Sequence, residues 1–290
     1  MTAFERGPVG ARLLTGKNVA DAMFKELTPI VKKLDPKLVI IQVGNDPASE
    51  SYIKQKMKSC DAVGMRHTHE HLKDNATKEE LFAVIEKLNG DPDVTGFILQ
   101  LPLPSHLQPH VPLFLRAIDP KKDVDGFTAY NVGKTMISKE FEHLPSATPA
   151  GIIALLEYYG YGDVTGKDVV IVNHSNVVGK PLSVMLMNRN ATVTVCHAHT
   201  KDLASHTRRA DILVTAVGKP KLITKDMVKP GAIVIDVGIT RTSEGLVGDC
   251  DFNAVKEVAS AITPVPGGVG PLTVASLIRN TVMAKQRQME

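Results

Sequence analysis

The sequence predicts an α/β protein of two domains, each a parallel sheet with helical crossovers, and three observations carry that prediction. The chain has 290 residues, more than a single domain usually holds. Short runs rich in β-branched residues alternate with amphipathic stretches, an order that requires parallel strands joined by helices. A proline-punctuated segment, Leu144-Pro-Ser-Ala-Thr-Pro149, interrupts the alternation, which then restarts. The junction is therefore placed after residue 148, with 1–148 as the first domain and 149–270 as a second, doubly wound one.

In order, Asn18 to Lys33 reads as an amphipathic helix with Val19, Met23, Leu27 and Ile30 near helical spacing. Lys37 to Val43 is a strand stopped by the turn Gly44-Asn-Asp-Pro47. A helix from Ala48 to Val63 follows, with Gly64 as its C-cap. Thr77 and Glu80 have capping-box spacing at the start of another helix. Thr95 to Leu101 reads as a buried strand ended by Pro102 and Pro104. Beyond the junction come a helix from Ala150 to Tyr159 and strands at 168–172, 191–195, 211–215 and 231–236. A glycine-rich loop, Pro264 to Pro271, leads into a last helix.

Composition narrows the function. Hydrophobic residues make up 43% and charged residues 22%, as in ordinary soluble proteins. Trp is absent, aromatics are few and the net charge is only +3, so no nucleic-acid partner is expected. Three scattered cysteines (Cys60, Cys196, Cys250) without CxxC pairing fit unpaired thiols in a reducing compartment. Met1 to Arg6 shows no apolar signal core, and no stretch approaches 18 apolar residues, so no membrane partner and a cytoplasmic location are expected.

Several stretches carry chemistry. Tyr52 and Lys56 are four apart, so on a helix they share a face, and a phenol beside an ammonium can handle protons where water is excluded. The plainer alternative is a half-buried Tyr52 and a wet surface Lys56. Gln100 closes a strand, where ligands of parallel sheets bind. In Lys122-Asp-Val-Asp-Gly126 the carboxylates either form an Asx-type turn or leave Asp125 to accept from a ring with adjacent N–H donors. Val172 to Pro181 joins a strand to a helix start near Lys180, where a dinucleotide pyrophosphate would meet backbone N–H groups, although it is not GxGxxG. His67, His69 and His71 alternate and would share one face of a strand; a solvated edge strand explains them better than a metal site, and none is expected there or at His174, Cys196, His197 and His199.

Together these pieces resemble the bifunctional methylenetetrahydrofolate dehydrogenase/cyclohydrolase (FolD) family. The resemblance is carried by Gly44-Asn-Asp-Pro-Ala-Ser49 running into Tyr52-Ile-Lys-Gln-Lys56, by Gln100-Leu-Pro-Leu-Pro104, by Lys122-Asp-Val-Asp-Gly-Phe127 and by Thr263-Pro-Val-Pro-Gly-Gly-Val-Gly-Pro-Leu-Thr273. It spans about Leu13 to the C-terminus. It implies a folate-binding catalytic domain, completed by a last helix (about 271–290) packing back on it, and a Rossmann-like dinucleotide domain. It implies catalytic roles for Lys56, Tyr52 and Gln100, with folate contacts from Tyr52, Leu99, Gln100, Leu101, Asp125, Pro266, Gly267, Gly268, Val269 and Gly270. Contacts to NADP, with NAD possible, are implied for Asn173, His174, Ser175, Val178, Gly179, Ala198, Ile239 and Thr273. The implied activity is oxidation of 5,10-methylenetetrahydrofolate followed by hydrolysis of the methenyl product to 10-formyltetrahydrofolate, in a homodimer.

The departures from the family pattern cluster on the dinucleotide side. Asn173-His174-Ser175 stands where the family has Gly-Arg-Ser, and His197-Ala198-His199-Thr200 where it has His-Ser-Arg-Thr. An arginine fork for the 2′-phosphate of NADP is missing, and so is the acid of an NAD site. The second reading is thus a cyclohydrolase with a weak or lost dehydrogenase half. Tyr-x-x-x-Lys also marks short-chain dehydrogenases, but there it follows the nucleotide motif. A non-catalytic binding protein would lack Lys56 or Gln100, and both are present.

Overall fold

A computed structural model describes residues 10–243 and 245–290; the reading of Met1 to Arg6 falls outside them. The chain divides into two compact units. The first comprises 21–147 and 274–290, the second 148–273 with the N-terminal segment through Ala20.

The elements in chain order are β1 (Arg12–Leu13), α1 (Gly16–Leu34), β2 (Lys37–Val43), α2 (Pro47–Val63), β3 (Arg66–Leu72), α3 (Lys78–Gly90), β4 (Gly96–Leu99), α4 (Val111–Ala117), α5 (Ala129–Ile137), α6 (Ala147–Tyr158), β5 (Asp168–Val172), α7 (Gly179–Met187), β6 (Thr192–Cys196), α8 (Leu203–Thr207), β7 (Ile212–Thr215), β8 (Ile233–Asp236), β9 (Thr240–Thr242), β10 (Gly245–Val247), α9 (Phe252–Val255), β11 (Ala261–Ile262) and α10 (Gly270–Gln288). No helix among the described residues is long and apolar enough to cross a membrane.

In the first unit three parallel strands run in the order β3-β2-β4. β2 is buried on both faces, so its residues divide by the period of two. Leu38 and Ile40 join Ile98, Ile53, Cys60 and Val63 in one core, completed by Val274, Leu277, Ile278 and Val282 of α10. Val39, Ile41 and Val43 join Phe97, Leu99, Leu81, Ile85 and Phe114 in the other. The expected return of the last helix is thus observed. Its polar anchor is Asn280, fully buried, whose Nδ2 donates to the carbonyls of Val124 (2.9 Å) and Pro145 (2.8 Å). β3 is the edge strand, and its imidazoles bond inward: His71 Nε2–H donates to the Gly44 carbonyl (2.8 Å) and His69 stacks on His71.

The second unit holds a six-stranded parallel sheet in the order β1-β11-β8-β7-β5-β6. The chain leaves β5 outward to β6 and returns to β7 on the other side, so the topological switch point lies between β5 and β7. The N-terminal segment departs from expectation. It does not belong with the first domain, because β1 pairs with the otherwise open edge of β11, and the Leu14 N–H donates to the Ile262 carbonyl (2.9 Å). A two-residue strand leaves no periodic trace in sequence.

Element limits moved where prolines and caps decide them. β4 ends at Leu99 rather than Leu101, ahead of Pro102, which has no N–H to pair. α6 starts at Ala147 rather than Ala150, since Pro149 is tolerated in a first turn.

Asn280→Ala removes two buried donors and leaves two carbonyls unpaired, so urea unfolding should show a loss of about 2–4 kcal/mol. An unchanged midpoint would mean that those carbonyls find other partners.

Candidate functional site

The helix α2 is set by its caps. Asp46 accepts from the Ser49 N–H (2.7 Å), Pro47 occupies the first turn, and Gly64 closes the helix in the left-handed region at φ 72°. Its buried stripe is Ile53, Cys60 and Val63, and Lys56 falls inside that stripe, three after Ile53 and four before Cys60. The lysine is therefore carried into the first unit by the helical period. Burial lowers its pKa, opposed by the Asp125 charge. Its ammonium donates to Gln100 Oε1 at 2.9 Å, and Gln100 Nε2 is fixed on the Leu101 carbonyl at 2.7 Å. Gln100 is itself placed by its own N–H, which donates to Ile41 O on β2 (2.9 Å). Tyr52, one turn earlier, is 42% exposed and not hydrogen-bonded to Lys56.

In the Lys122–Gly126 segment the structure gives the Asx-type turn to Asp123 and leaves Asp125 outside it. Asp123, 1% exposed, makes the turn, accepting from the N–H groups of Gly126 (3.0 Å), Phe127 (3.1 Å) and Thr128 (2.8 Å) and from Asn131 Nδ2 (2.9 Å). Asp125 accepts from no described group of the protein. Burial pushes its carboxyl up to about 6, Lys56 pulls it down, and Asp123 adds to the rise. Gly126 has to be glycine: φ is 73°, and a Cβ would stand 2.5 Å from the Leu144 carbonyl oxygen. Lys122, which the sequence does not single out, is structural; its ammonium donates to the carbonyls of Leu88 and Asp91.

Leu99 differs from its expected role. The alternation that buries Phe97 also turns the Leu99 side chain into the core. Leu101 is half-buried at the end of the strand, before a cis bond to Pro102.

In the second unit Asn173 follows β5 and organises the next turn. Its Oδ1 accepts from the Ser175 N–H (2.8 Å), Ser175 Oγ (2.8 Å) and the Gly179 N–H (2.9 Å), and its Nδ2 donates to Ala216 O across the switch point (2.5 Å). The Val178 N–H donates to Ser175 Oγ (3.1 Å). Several N–H groups expected to face a pyrophosphate are therefore already bonded inside the loop. Gly179 cannot be replaced, since a Cβ would stand 2.0 Å from the Asn173 carbonyl oxygen.

The carboxyl ends of the strands nonetheless fit a dinucleotide. Val177 after β5, Val217 after β7 and Ile239 after β8 are all exposed aliphatic side chains, 38%, 48% and 41%, a surface suited to flat rings. His174, His197, Ala198 and His199 are exposed beside them. Among the described residues no group of three or more His, Cys, Asp or Glu side chains could hold a metal ion. Pro266 and Gly267 are exposed, Gly268 and Val269 buried and Gly270 half-buried. The Gly267 carbonyl accepts from the Gly16 N–H (2.9 Å), and Thr273 is bonded to Thr148 through their hydroxyls (3.0 Å).

One residue that the sequence reading missed shapes this end. Asp249, fully buried, accepts from Thr215 Oγ1 (2.9 Å) and the N–H groups of Val217 (2.6 Å) and Lys219 (2.8 Å), fixing the loop that carries Val217. Asp236 accepts in turn from the Asp249 and Cys250 N–H groups. Gly248 immediately before Asp249 was the available signal, because a Cβ there would meet Asp236.

An aspartate ordinarily titrates near 3.8 and Asp125 titrates at about 6, so the folded state holds this proton more tightly than the unfolded one. The stability from that proton is full below the ordinary value and is lost as pH rises through about 6. Asp125→Asn should therefore be more stable than the parent by about 1–3 kcal/mol at about pH 8, and nearly equal to it at about pH 4, in urea unfolding. A variant less stable at the higher pH would contradict the burial of this charge. Lys56→Met should move the Asp125 carboxyl still higher, read by carboxyl NMR; a downward move would show that the two charges do not interact.

Residues 14–125 match the family model described as the catalytic domain of tetrahydrofolate dehydrogenase/cyclohydrolase, and residues 146–289 match that family's NAD(P)-binding domain. A Sulfurihydrogenibium protein named bifunctional protein FolD is 50% identical over 284 residues, covering 96% of this chain and 98% of that one. The crystal structure of the bifunctional FolD enzyme of Campylobacter jejuni superposes with a TM-score of 0.90 at 44% identity, covering 95% of this chain and 99% of that one. The Trypanosoma brucei methylenetetrahydrofolate dehydrogenase-cyclohydrolase, solved with NADP cofactor and an inhibitor, gives 0.92 at 36% identity, covering 98% and 100%. With family-model matches over most of its length and a relative 50% identical over 284 residues, the chain belongs to the tetrahydrofolate dehydrogenase/cyclohydrolase family.

Proposed function

We propose that the protein oxidises 5,10-methylenetetrahydrofolate to the methenyl form with NADP and hydrolyses that form to 10-formyltetrahydrofolate. The observation that carries the reading is a desolvated Lys56 ammonium held by a neutral amide near an acceptor-only carboxylate that the protein leaves unpartnered. Relatives that match nearly the whole chain bear the bifunctional name, and no observation favours a cyclohydrolase with a lost redox half.

Lys56 is the proton-handling group. With its pKa lowered by burial it is neutral in a larger fraction of molecules near neutral pH, and a cationic methenyl substrate pushes further the same way. It can then take a proton from the water that adds to the methenyl carbon and return it as the ring opens. Gln100 aims the amine through Oε1 without adding a charge that would lock it as ammonium. Tyr52, exposed at the rim of α2, offers a phenol to the substrate. Asp125 accepts from adjacent N–H donors of the pterin ring, and a carboxylate can accept two in one plane. Leu99 backbone, Leu101, Pro266, Gly267, Gly268, Val269 and Gly270 are further folate contacts in this reading.

NADP, when bound, supplies the hydride acceptor. Asn173, His174, Ser175, Val178, Gly179, Ala198, Ile239 and Thr273 would hold it, with Ile239 offering apolar surface to a ring and His174 a charge for phosphate. The first unit is thus the folate unit and the second the dinucleotide unit. A homodimer in the cytoplasm completes the reading, supported by family membership and by three buried free cysteines; sedimentation checks the dimer.

Two assays on the purified protein test the reading: loss of methenyltetrahydrofolate without dinucleotide, and oxidation of the methylene form with NADP. Both should proceed. Lys56→Met should lower hydrolysis by a factor of about 100 or more while the protein stays folded; retained hydrolysis would remove Lys56 from the mechanism.

A further inference from the structure

After the short N-terminal edge strand β1, β5 and β6 are the next two strands of the doubly wound sheet in chain order, and they are neighbours in it. Three imidazoles cluster at their carboxyl ends. His174 follows β5, and His197 and His199 follow β6. Ring centroids of His174 and His197 are 5.0 Å apart, and those of His197 and His199 are 6.0 Å apart. All three rings are exposed, and none is ion-paired with a carboxylate among the described residues; the one described histidine that is, His67, lies in the other unit. The loop is held by its own bonds. The His197 N–H donates to Thr200 Oγ1 (2.8 Å), and the His199 N–H donates to His197 Nδ1 (3.2 Å), which leaves Nε2 as the proton-bearing nitrogen of a neutral His197.

The end of the second strand of such a sheet reads the ribose 2′ position: an acid there accepts from a free hydroxyl, and a cation accommodates a phosphate. Here neither an acid nor an arginine directly follows β6, only His197-Ala198-His199. Imidazole is the side chain whose charge ordinarily changes between about pH 5 and about pH 8. We infer that His174, His197 and His199 together form a proton-dependent seat for the 2′-phosphate of NADP, so that preference for NADP over NAD falls as pH rises. The inference rests on the dinucleotide role proposed for this unit, and adds His197 and His199 to the dinucleotide contacts that the resemblance implies.

The charged groups of the surrounding elements are accounted for. On α7, Lys180 is bonded to Asn176 Oδ1 (2.7 Å). Ahead of α8 stand Lys201 and Asp202, the latter accepting from the Ser205 N–H (3.2 Å) as the helix cap. His206 lies in α8, and after it Arg208 donates to Asp226 O and Arg209 to Thr194 Oγ1. β6 has no charged residue, and Asp168 is at the opposite end of β5. The fixed background is thus mostly positive, and the protonation of the three imidazoles is what varies over it.

The sign of the pH effect separates this seat from one made of fixed cations. A phosphate monoester gains its second charge near pH 6, so fixed arginines or lysines would bind NADP as well or better at higher pH. Imidazoles bind it worse. Calorimetric dissociation constants for NADP and NAD on the wild-type protein at constant ionic strength, from about pH 6.5 to about pH 8, should show the NADP preference falling by about tenfold. Histidine NMR spectra should show the three rings holding their protons to higher pH with NADP bound than with NAD bound. Replacing the trio in His174→Gln/His197→Gln/His199→Gln should leave a small, pH-independent preference. If both nucleotides bind but the preference is unchanged or rises with pH, the seat is overturned while the dinucleotide role stands. Absence of binding by either nucleotide overturns both. The wild-type titration decides the matter even if the triple variant does not fold.

Discussion

The burial of the Lys56 ammonium in the apolar stripe of α2 is the constraint on which the first unit depends. A free ammonium in an apolar setting is costly and tends to neutralise. Here it is met by one neutral acceptor, Gln100 Oε1, whose own amide is anchored on the chain. A carboxylate in direct contact would have stabilised the ion further and left less free amine near neutral pH. Asp125 instead acts through the field, raising the Lys56 pKa while burial lowers it, and its own pKa is shifted upward by burial. The arrangement shifts the two groups toward each other, Lys56 downward and Asp125 upward, the direction that the proposed proton transfer needs.

The buried aspartates make the contrast plain. Asp123, Asp236 and Asp249 each accept three or more hydrogen bonds, mainly from backbone N–H groups, and each shapes a loop near the carboxyl end of a sheet. Asp125, two residues from Asp123, receives none from any described residue. Among these carboxylates saturation marks the structural ones, and the unfilled acceptor is what the proposed folate role of Asp125 rests on. The same distinction holds for Asn173, whose bonds are turned inward on its loop, and the exposed His174 next to it.

Much of this was legible in sequence. β2, β5 and α2 with its caps fall where hydrophobic period and turn residues place them, because local signals and tertiary packing agree there. The roles proposed for Lys56, Gln100 and Asp125 come from motif resemblance, although one signal was physical: the half-buried Lys56 falls on the helical stripe of Ile53, Cys60 and Val63. The split of roles between Asp123 and Asp125 could not be read, since both precede the same turn and only three-dimensional placement decides which one meets the N–H groups. The two-residue strands β1 and β11 and the buried Asp249 depend on contacts between distant segments, for which sequence period carries no information. Leu99 was assigned from its motif, whereas strand alternation alone turns its side chain to the core.

The central claim is that Lys56 is desolvated yet not neutralised by a contacting carboxylate. Titration of the Lys56 side chain by carbon-detected lysine NMR, in the parent and in Asp125→Asn, tests it directly. The account predicts a pKa below the ordinary lysine value in the parent and a further fall in the variant, because the charge that raises it has been removed. An ordinary lysine value in the parent, or a rise in the variant, would contradict it.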